Sequence, residues 1–220
     1  MTSTAADTAE GFDADDPRPA PFVAPEVRYR GTFVEMLVSS VIGLIASLVL
    51  SIEALTLAEN PFADLNCDIN TVLSCGTVGA SWQASLLGFP NAYLGLIAEP
   101  VVITIAVAAL GGVRFPRWFM LSAQVVYFIG FAFAYWLFYQ SFFVIGALCP
   151  WCLTITVTTT LVFVSMTRVN LLENNFRLSA GAYRTVSSWL RAGADTLGAI
   201  LLFAILTGMI LVKYGAVLFG

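Results

Sequence analysis

Long runs of hydrophobic residues, separated by short polar segments, dominate this chain. A helix that crosses a membrane needs roughly 20 mostly apolar residues. Five runs come close to that length or exceed it, and they cover residues 33–57, 91–110, 118–140, 150–167 and 196–218. The first run follows a polar stretch and is too long for the apolar part of a cleaved signal peptide. The pattern predicts an all-α membrane protein with five transmembrane helices.

Composition supports the membrane assignment and separates one segment from the rest. Hydrophobic residues make up 59% of the 220 residues and charged residues 11%, whereas a soluble domain carries about 25% charged residues. Residues 1–30 differ, because they combine six acidic residues with four prolines. Such a segment buries too little apolar surface to fold. We predict a disordered acidic tail over residues 1–30 and a five-helix membrane domain over residues 31–220.

Positive charge indicates how the helices are oriented. Arginines occur before the first helix, between the second and third, and between the fourth and fifth, whereas the loop 58–90 contains no lysine or arginine. Loops that carry Lys and Arg stay on the cytoplasmic side. The N-terminus is therefore predicted to be cytoplasmic, and the 58–90 loop and the C-terminus extracytoplasmic, in the plasma membrane.

Four cysteines are the main candidates for chemistry, since the chain contains no histidine. Cys67 and Cys75 lie in the 58–90 loop, and Cys149 and Cys152 lie at the start of the fourth predicted helix. The arginine distribution places all four on the outer face, which is the compartment where disulfides form and persist. The cysteines therefore predict disulfide chemistry outside the cytoplasm.

The sequence Cys-Pro-Trp-Cys indicates redox activity for the second pair. Pro150 suits the first position of a helix, which places Cys149 at the helix N-terminus, where the dipole and free N–H groups stabilise a thiolate. One alternative is a static disulfide. The other is a zinc site, which would need all four cysteines, but the seven residues between Cys67 and Cys75 make a wide gap for zinc. We predict a redox pair and no metal site.

The two cysteine pairs belong to a larger pattern. The segment from Cys67 to Cys75, then Ser81, the sequence Gly-Phe-Pro-Asn-Ala around Asn91, and the Cys-Pro-Trp-Cys motif together resemble the vitamin K epoxide reductase family over roughly residues 33–167. The resemblance implies a four-helix bundle around a quinone, and the fifth helix matches an addition found in many bacterial members. Because no fused thioredoxin-like domain follows that helix, a separate thioredoxin-fold partner is expected.

The resemblance also implies an activity and a role for each cysteine. It implies a quinone-dependent thiol oxidoreductase that reoxidises a thioredoxin-fold (DsbA-like) partner and so drives disulfide formation in exported proteins. Cys67 would meet the partner, Cys75 would pass electrons to Cys149, and Cys152 would reduce the quinone, either menaquinone or ubiquinone. No nucleic-acid partner is expected. The alternatives are a reductase of vitamin K or its epoxide, and a non-enzymatic membrane protein with two structural disulfides.

Three polar residues are implied as quinone contacts. Asn91 is similar to the family's asparagine that bonds a quinone carbonyl, although a plain helix N-cap would also place an asparagine there. Ser81 matches a serine that shapes the same pocket, or it is an ordinary loop hydroxyl. Thr156 stands where animal members have a tyrosine, and its shorter side chain makes epoxide chemistry less expected here.

Two acidic residues and one stripe of small residues complete the pattern. Glu99 lies about 12 Å from Asn91 along the second helix, and it marks either a proton path or a neutral, hydrogen-bonded carboxyl. Glu53, near the outer end of the first helix, is expected to be interfacial. Small residues recur at every fourth position of the first helix and predict close helix packing; they are Ser39, Gly43, Ser47 and Ser51.

Overall fold

The computed structural model describes residues 26–65 and 67–219. In this part of the chain the secondary structure is helical, apart from one isolated bridge between two residues. The first helix begins at Glu26, so the last five residues of the predicted tail are helical. Residues 1–25, which make up the rest of that tail, lie outside the described residues.

Seven α-helices follow one another along the described chain. They are α1 Glu26–Glu59, α2 Cys75–Gly79, α3 Ala92–Leu110, α4 Arg117–Tyr139, α5 Pro150–Leu172, α6 Ala180–Arg191 and α7 Ala194–Phe219. A 3₁₀ turn, Trp82–Ser85, separates α2 from α3, and a π-helical turn, Gln140–Ile145, extends α4. The helices α1, α3, α4, α5 and α7 are long and apolar enough to cross a membrane. This confirms the prediction of an all-α, multi-pass membrane protein.

Four of the five long helices form the bundle. Helix α1 packs against α3 and α5, and α5 packs against α4, whereas α7 lies at the edge against α5 and α6. Met36, Val102, Tyr127 and Val162 come from the four bundle helices and form a shared buried cluster. The fifth long helix is therefore an addition to a four-helix bundle, as predicted.

The close approach of α1 and α3 depends on small residues. A side chain at Gly43 would place its Cβ 2.9 Å from Glu99 Oε1 and 3.0 Å from Thr158 Oγ1. The helix backbones can approach this closely because glycine has no side chain, as the stripe of small residues predicted. Glu99 itself is 3% exposed and accepts a hydrogen bond of 2.9 Å from the Tyr127 hydroxyl. Of the two predicted roles for Glu99, this contact matches the hydrogen-bonded carboxyl.

Two features at the end of the bundle opposite the cysteines differ from the sequence prediction. Helix α5 runs five residues past its predicted end at residue 167, because Arg168 forms a 2.6 Å ion pair with Asp195 at the start of α7. The short helix α6 was not predicted, since it is too short to cross a membrane. Its N-cap is Ser179, whose side chain accepts a hydrogen bond from the Ala182 N–H.

Candidate functional site

A short helix in the loop between α1 and α3 holds Cys75. Ser74 caps α2, and its side chain accepts a 3.0 Å hydrogen bond from the Thr77 N–H. Cys75 is the first residue of this helix and is joined to Cys67 by a disulfide, with Cα atoms 5.6 Å apart. While that bond is intact, neither sulfur is a thiolate that could bind a metal ion.

Asp68 fastens the loop next to the disulfide. Its carboxylate accepts hydrogen bonds from the Gly76 N–H at 2.9 Å and from the Leu65 N–H at 3.3 Å. Desolvation raises the pKa of Asp68, but these hydrogen bonds and those from Ser74 and Cys75 outweigh it and lower the pKa below its usual value. The loop around the disulfide is therefore held by a carboxylate that stays ionised.

A pair of backbone hydrogen bonds brings the two cysteine pairs together. The Leu148 N–H donates to Val72 O at 2.7 Å, and the Ser74 N–H donates to Leu148 O at 3.0 Å. Ser74 precedes Cys75 in the chain, and Leu148 precedes Cys149. The bonds form the isolated parallel bridge of the fold, and they place one cysteine of each pair side by side.

The two sulfurs that meet are those of Cys75 and Cys149, which lie 3.1 Å apart. Cys149 is a buried free thiol that caps α5, and its sulfur accepts a 3.3 Å hydrogen bond from the Cys152 N–H. Hydrogen bonds from the Cys152 thiol and from the Cys152 and Trp151 N–H groups outweigh burial and lower the pKa of Cys149. A thiol that ionises readily, next to a disulfide sulfur, is arranged for thiol–disulfide exchange.

A cavity of about 940 Å³ lies beside the cysteines and between the bundle helices. Binding sites for small molecules commonly have about 300–1,000 Å³. Of the seven residues predicted from the sequence, only Cys67 does not line this cavity. The six that line it are Cys75, Ser81, Asn91, Cys149, Cys152 and Thr156.

Asn91 carries unused hydrogen-bonding groups into the cavity. Its Nδ2 donates a 2.6 Å hydrogen bond to Gln83 O, and its side chain makes no capping hydrogen bond to α3. Its Oδ1 is buried and has no partner among the described residues. Buried amide groups nearly always have partners, so the Oδ1 of Asn91 fits a ligand that offers a hydrogen-bond donor, and its second N–H fits an acceptor.

The two predicted hydroxyl groups are arranged differently. Ser81 donates to Val78 O at 2.6 Å, and Thr156 donates to Cys152 O at 2.9 Å. With their protons used in this way, both hydroxyl oxygens can accept a hydrogen bond from a ligand but offer it no donor. Among the three predicted polar residues, only Asn91 keeps a donor for a ligand in the cavity.

Glu53 was missed as a site residue by the sequence prediction, which placed it in the membrane interface. Its Oε1 lies 3.1 Å from Cys67 Sγ, and its Oε2 is buried without a partner in the part of the chain that the structure describes. The only signal in the sequence was its position near the end of the first helix, just before the loop that holds Cys67. Neither hydrophobic pattern nor spacing indicates this contact.

Comparison with known proteins places most of the bundle in one family. The Vitamin K epoxide reductase family model matches residues 34–167. The matched region is more than half of the 220 residues, and it contains all four cysteines and the three predicted polar contacts. No curated protein matches the chain.

Proposed function

Because this chain belongs to the vitamin K epoxide reductase family, we propose that it oxidises a thioredoxin-fold (DsbA-like) protein and passes the electrons to menaquinone or ubiquinone. Membership of the family makes it a membrane thiol oxidoreductase linked to a quinone. The direction, the protein substrate and the roles of individual residues are our proposal. The net reaction turns a partner dithiol and a quinone into a partner disulfide and a quinol.

The observation that carries the proposal is the 3.1 Å distance between Cys75 Sγ and Cys149 Sγ. Thiol–disulfide exchange requires a thiolate to reach a disulfide sulfur. In the proposed direction the Cys75 thiolate attacks Cys149, a Cys75–Cys149 bond forms, and the Cys149–Cys152 bond breaks with its electron pair on Cys152. The Cys67 thiolate then attacks Cys75, which releases Cys149 as a thiolate. The loop pair is now oxidised, and the pair on α5 is reduced.

At the other end of the path the residues fit a quinone. A bound quinone would accept two electrons and two protons. Cys152 lies one turn into α5 and lines the cavity with Asn91. Asn91 has a donor left over after bonding Gln83, so it would hold a carbonyl oxygen. Ser81 and Thr156 would accept hydrogen bonds from a hydroxyl group at the same site.

The proposed compartment follows from the arginine distribution. We place the N-terminus in the cytoplasm and the loop with Cys67 and Cys75 outside, so that the loop faces exported partners. A reporter that is active only outside the cytoplasm should work when fused after Val72 and stay silent when fused after Val113. The reverse pattern would place the cysteines in a reducing compartment and contradict the proposal.

Trapping the relay tests the function directly. Cys152 can break the Cys75–Cys149 bond by attacking Cys149. Cys152→Ser removes that thiol, so the Cys75–Cys149 bond should accumulate in membranes. Mass spectrometry after alkylation and proteolysis would find the loop peptide joined to the α5 peptide. The matched control is Cys152→Ser combined with Cys75→Ser, in which that bond cannot form.

Other outcomes of this experiment have definite meanings. A Cys67–Cys149 bond in the Cys152→Ser protein would exchange the roles of the two loop cysteines. The absence of any bond between the pairs would remove the relay and favour two structural disulfides. Cys75→Ser alone should trap Cys67 with the external partner, and the protein recovered in that complex identifies the thiol substrate.

A further inference from the structure

Glu53 is an acidic side chain that lies beside the loop disulfide. Its carboxylate and the sulfurs of Cys67 and Cys75 all lie within 4.8 Å of one another. Glu53 also lines the cavity that Cys149 and Cys152 face. Glu53 belongs to α1, which packs against α3 and α5. Its backbone position is therefore fixed while the sulfur atoms exchange bonds.

The surroundings of Glu53 do not explain why an acid is placed there. Its Oε2 is buried and has no hydrogen-bond partner among the described residues, and such a group is costly to bury. The titratable groups that face it are the four cysteines and Asp68. In the described part of the chain no Lys or Arg forms an ion pair with it. A reacting atom, Cys67 Sγ, lies 3.1 Å from Oε1.

We propose that Glu53 is a catalytic residue that takes the proton of Cys67 when Cys67 resolves the Cys75–Cys149 bond, an inference that rests on the proposed function. The Cys67 thiol gives its proton to the Glu53 carboxylate, and its sulfur attacks Cys75. The Cys67–Cys75 bond forms, the Cys75–Cys149 bond breaks, and the electron pair leaves on Cys149 Sγ. The proton on Glu53 then passes to the Cys149 thiolate, which balances the proton that Cys67 gave up.

The contact distance suits this role. A general base must lie within about 2.6–3.2 Å of the atom that carries the proton, and Glu53 Oε1 meets that condition with Cys67 Sγ. The thiolate is the nucleophile in exchange, and an ordinary thiol is largely protonated at neutral pH because its pKa is about 8.5. Removing the proton during the attack therefore accelerates the step most at neutral pH.

The decisive experiment follows one step in the purified, fully oxidised protein in detergent. Dithiothreitol reduces the loop pair, the reaction is quenched with acid at set times, and the Cys75–Cys149 peptide is quantified by mass spectrometry. Glu53→Gln keeps the shape of the side chain but cannot accept a proton. Its Cys75–Cys149 bond should decay about 10²-fold more slowly than in the wild type at neutral pH. Glu53→Asp keeps the carboxylate and should recover part of the rate.

The pH dependence separates this role from a structural one. The deficit of Glu53→Gln should shrink as the pH rises through about 8.5, because Cys67 then ionises without help. A deficit of equal size at every pH, or no deficit, would overturn the assignment. Glu59→Gln is the matched control, since Glu59 is an exposed acid at the end of the same helix, and it should behave as the wild type.

The same measurements distinguish the two proposals. If Cys152→Ser accumulates the Cys75–Cys149 bond and Glu53→Gln resolves that bond at the wild-type rate, only the role of Glu53 is wrong. If the bond never forms in any variant, the proposed function fails, and the role of Glu53 fails with it. A folded Glu53→Gln protein is verified by its intact Cys67–Cys75 disulfide after air oxidation.

Discussion

The crossing of α1 and α3 leaves no room for a side chain at Gly95. A Cβ built on Gly95 would lie 2.8 Å from Ser47 Cβ and would overlap Ser47 Oγ. The Ser47 hydroxyl can rotate away, but its Cβ is fixed to the backbone of α1. Ordinary contact begins at 3.4 Å, so Gly95→Ala must move the two helices apart by about 0.6 Å at this point.

The expected cost follows from this displacement. Overpacking a close-packed interior by a methyl group costs about 1–3 kcal/mol. Replacing a helical glycine by alanine contributes about 0.5–1 kcal/mol in the opposite direction. The matched control is Gly130→Ala on α4, where a Cβ would meet no atom within 4 Å. Since helix propensity is the same in both variants, the free energies of unfolding should differ by about 1–3 kcal/mol, with Gly95→Ala the less stable.

Equilibrium unfolding of the detergent-solubilised protein measures this difference. Adding Ser47→Gly to Gly95→Ala removes the blocking Cβ and should restore much of the lost stability. Because Ser47 and Gly95 also line the cavity, Gly95→Ala should raise the KM for quinone as well. Equal stability of the Gly95→Ala and Gly130→Ala proteins would refute the steric argument.

Three further predictions concern single groups. In reduced protein, the ultraviolet absorbance of the Cys149 thiolate should appear at lower pH than that of an ordinary thiol. Cys152→Ala should raise the pKa of Cys149, because a hydrogen-bond donor is lost. An unchanged titration in this variant would contradict the prediction. The hydrogen bonds that lower the pKa of Asp68 stabilise the loop fully above the usual Asp pKa, and this contribution is lost as the pH falls through the lower folded value. The loop disulfide should become easier to reduce in that range, and Asp68→Ala should abolish the dependence. Tyr127→Phe removes the bond to Glu99 and should cost about 0.6–1.7 kcal/mol of unfolding free energy; no loss would mean that Glu99 finds another partner.

The membrane architecture could be predicted from the sequence because its cause is local. In a bilayer each spanning segment must satisfy its own backbone hydrogen bonds, so a sufficiently long apolar run forms a helix whatever its neighbours do. Helices α3, α4 and α7 begin and end within two residues of the predicted bounds, whereas α1 begins seven residues early and α5 ends five residues late. The family could also be recognised from the sequence, because the resemblance depends on residue types and their spacing. The match over residues 34–167 confirms it.

Helix ends and short helices depended on contacts between elements. The extension of α5 to Leu172 includes Arg168, whose charge is paired with Asp195 from a later helix. An unpaired arginine indicates the end of a membrane segment. The partner of Arg168 lies 27 residues away along the chain, so the sequence does not show that its charge is paired. Helix α6 was missed for a related reason, since twelve residues carry no membrane signal.

The distances within the site depend on the tertiary structure. Residue types and their spacing identified two cysteine pairs and Asn91 as candidates. The contact between Cys75 and Cys149 joins residues 74 positions apart. The family resemblance implied that these two cysteines exchange electrons, but the backbone hydrogen bonds at Leu148 set their distance. Glu53 shows the same limit, because its place beside Cys67 depends on how the loop folds back over the end of α1. Long-range backbone pairing and loop closure set these distances, and neither has a local signature in the sequence.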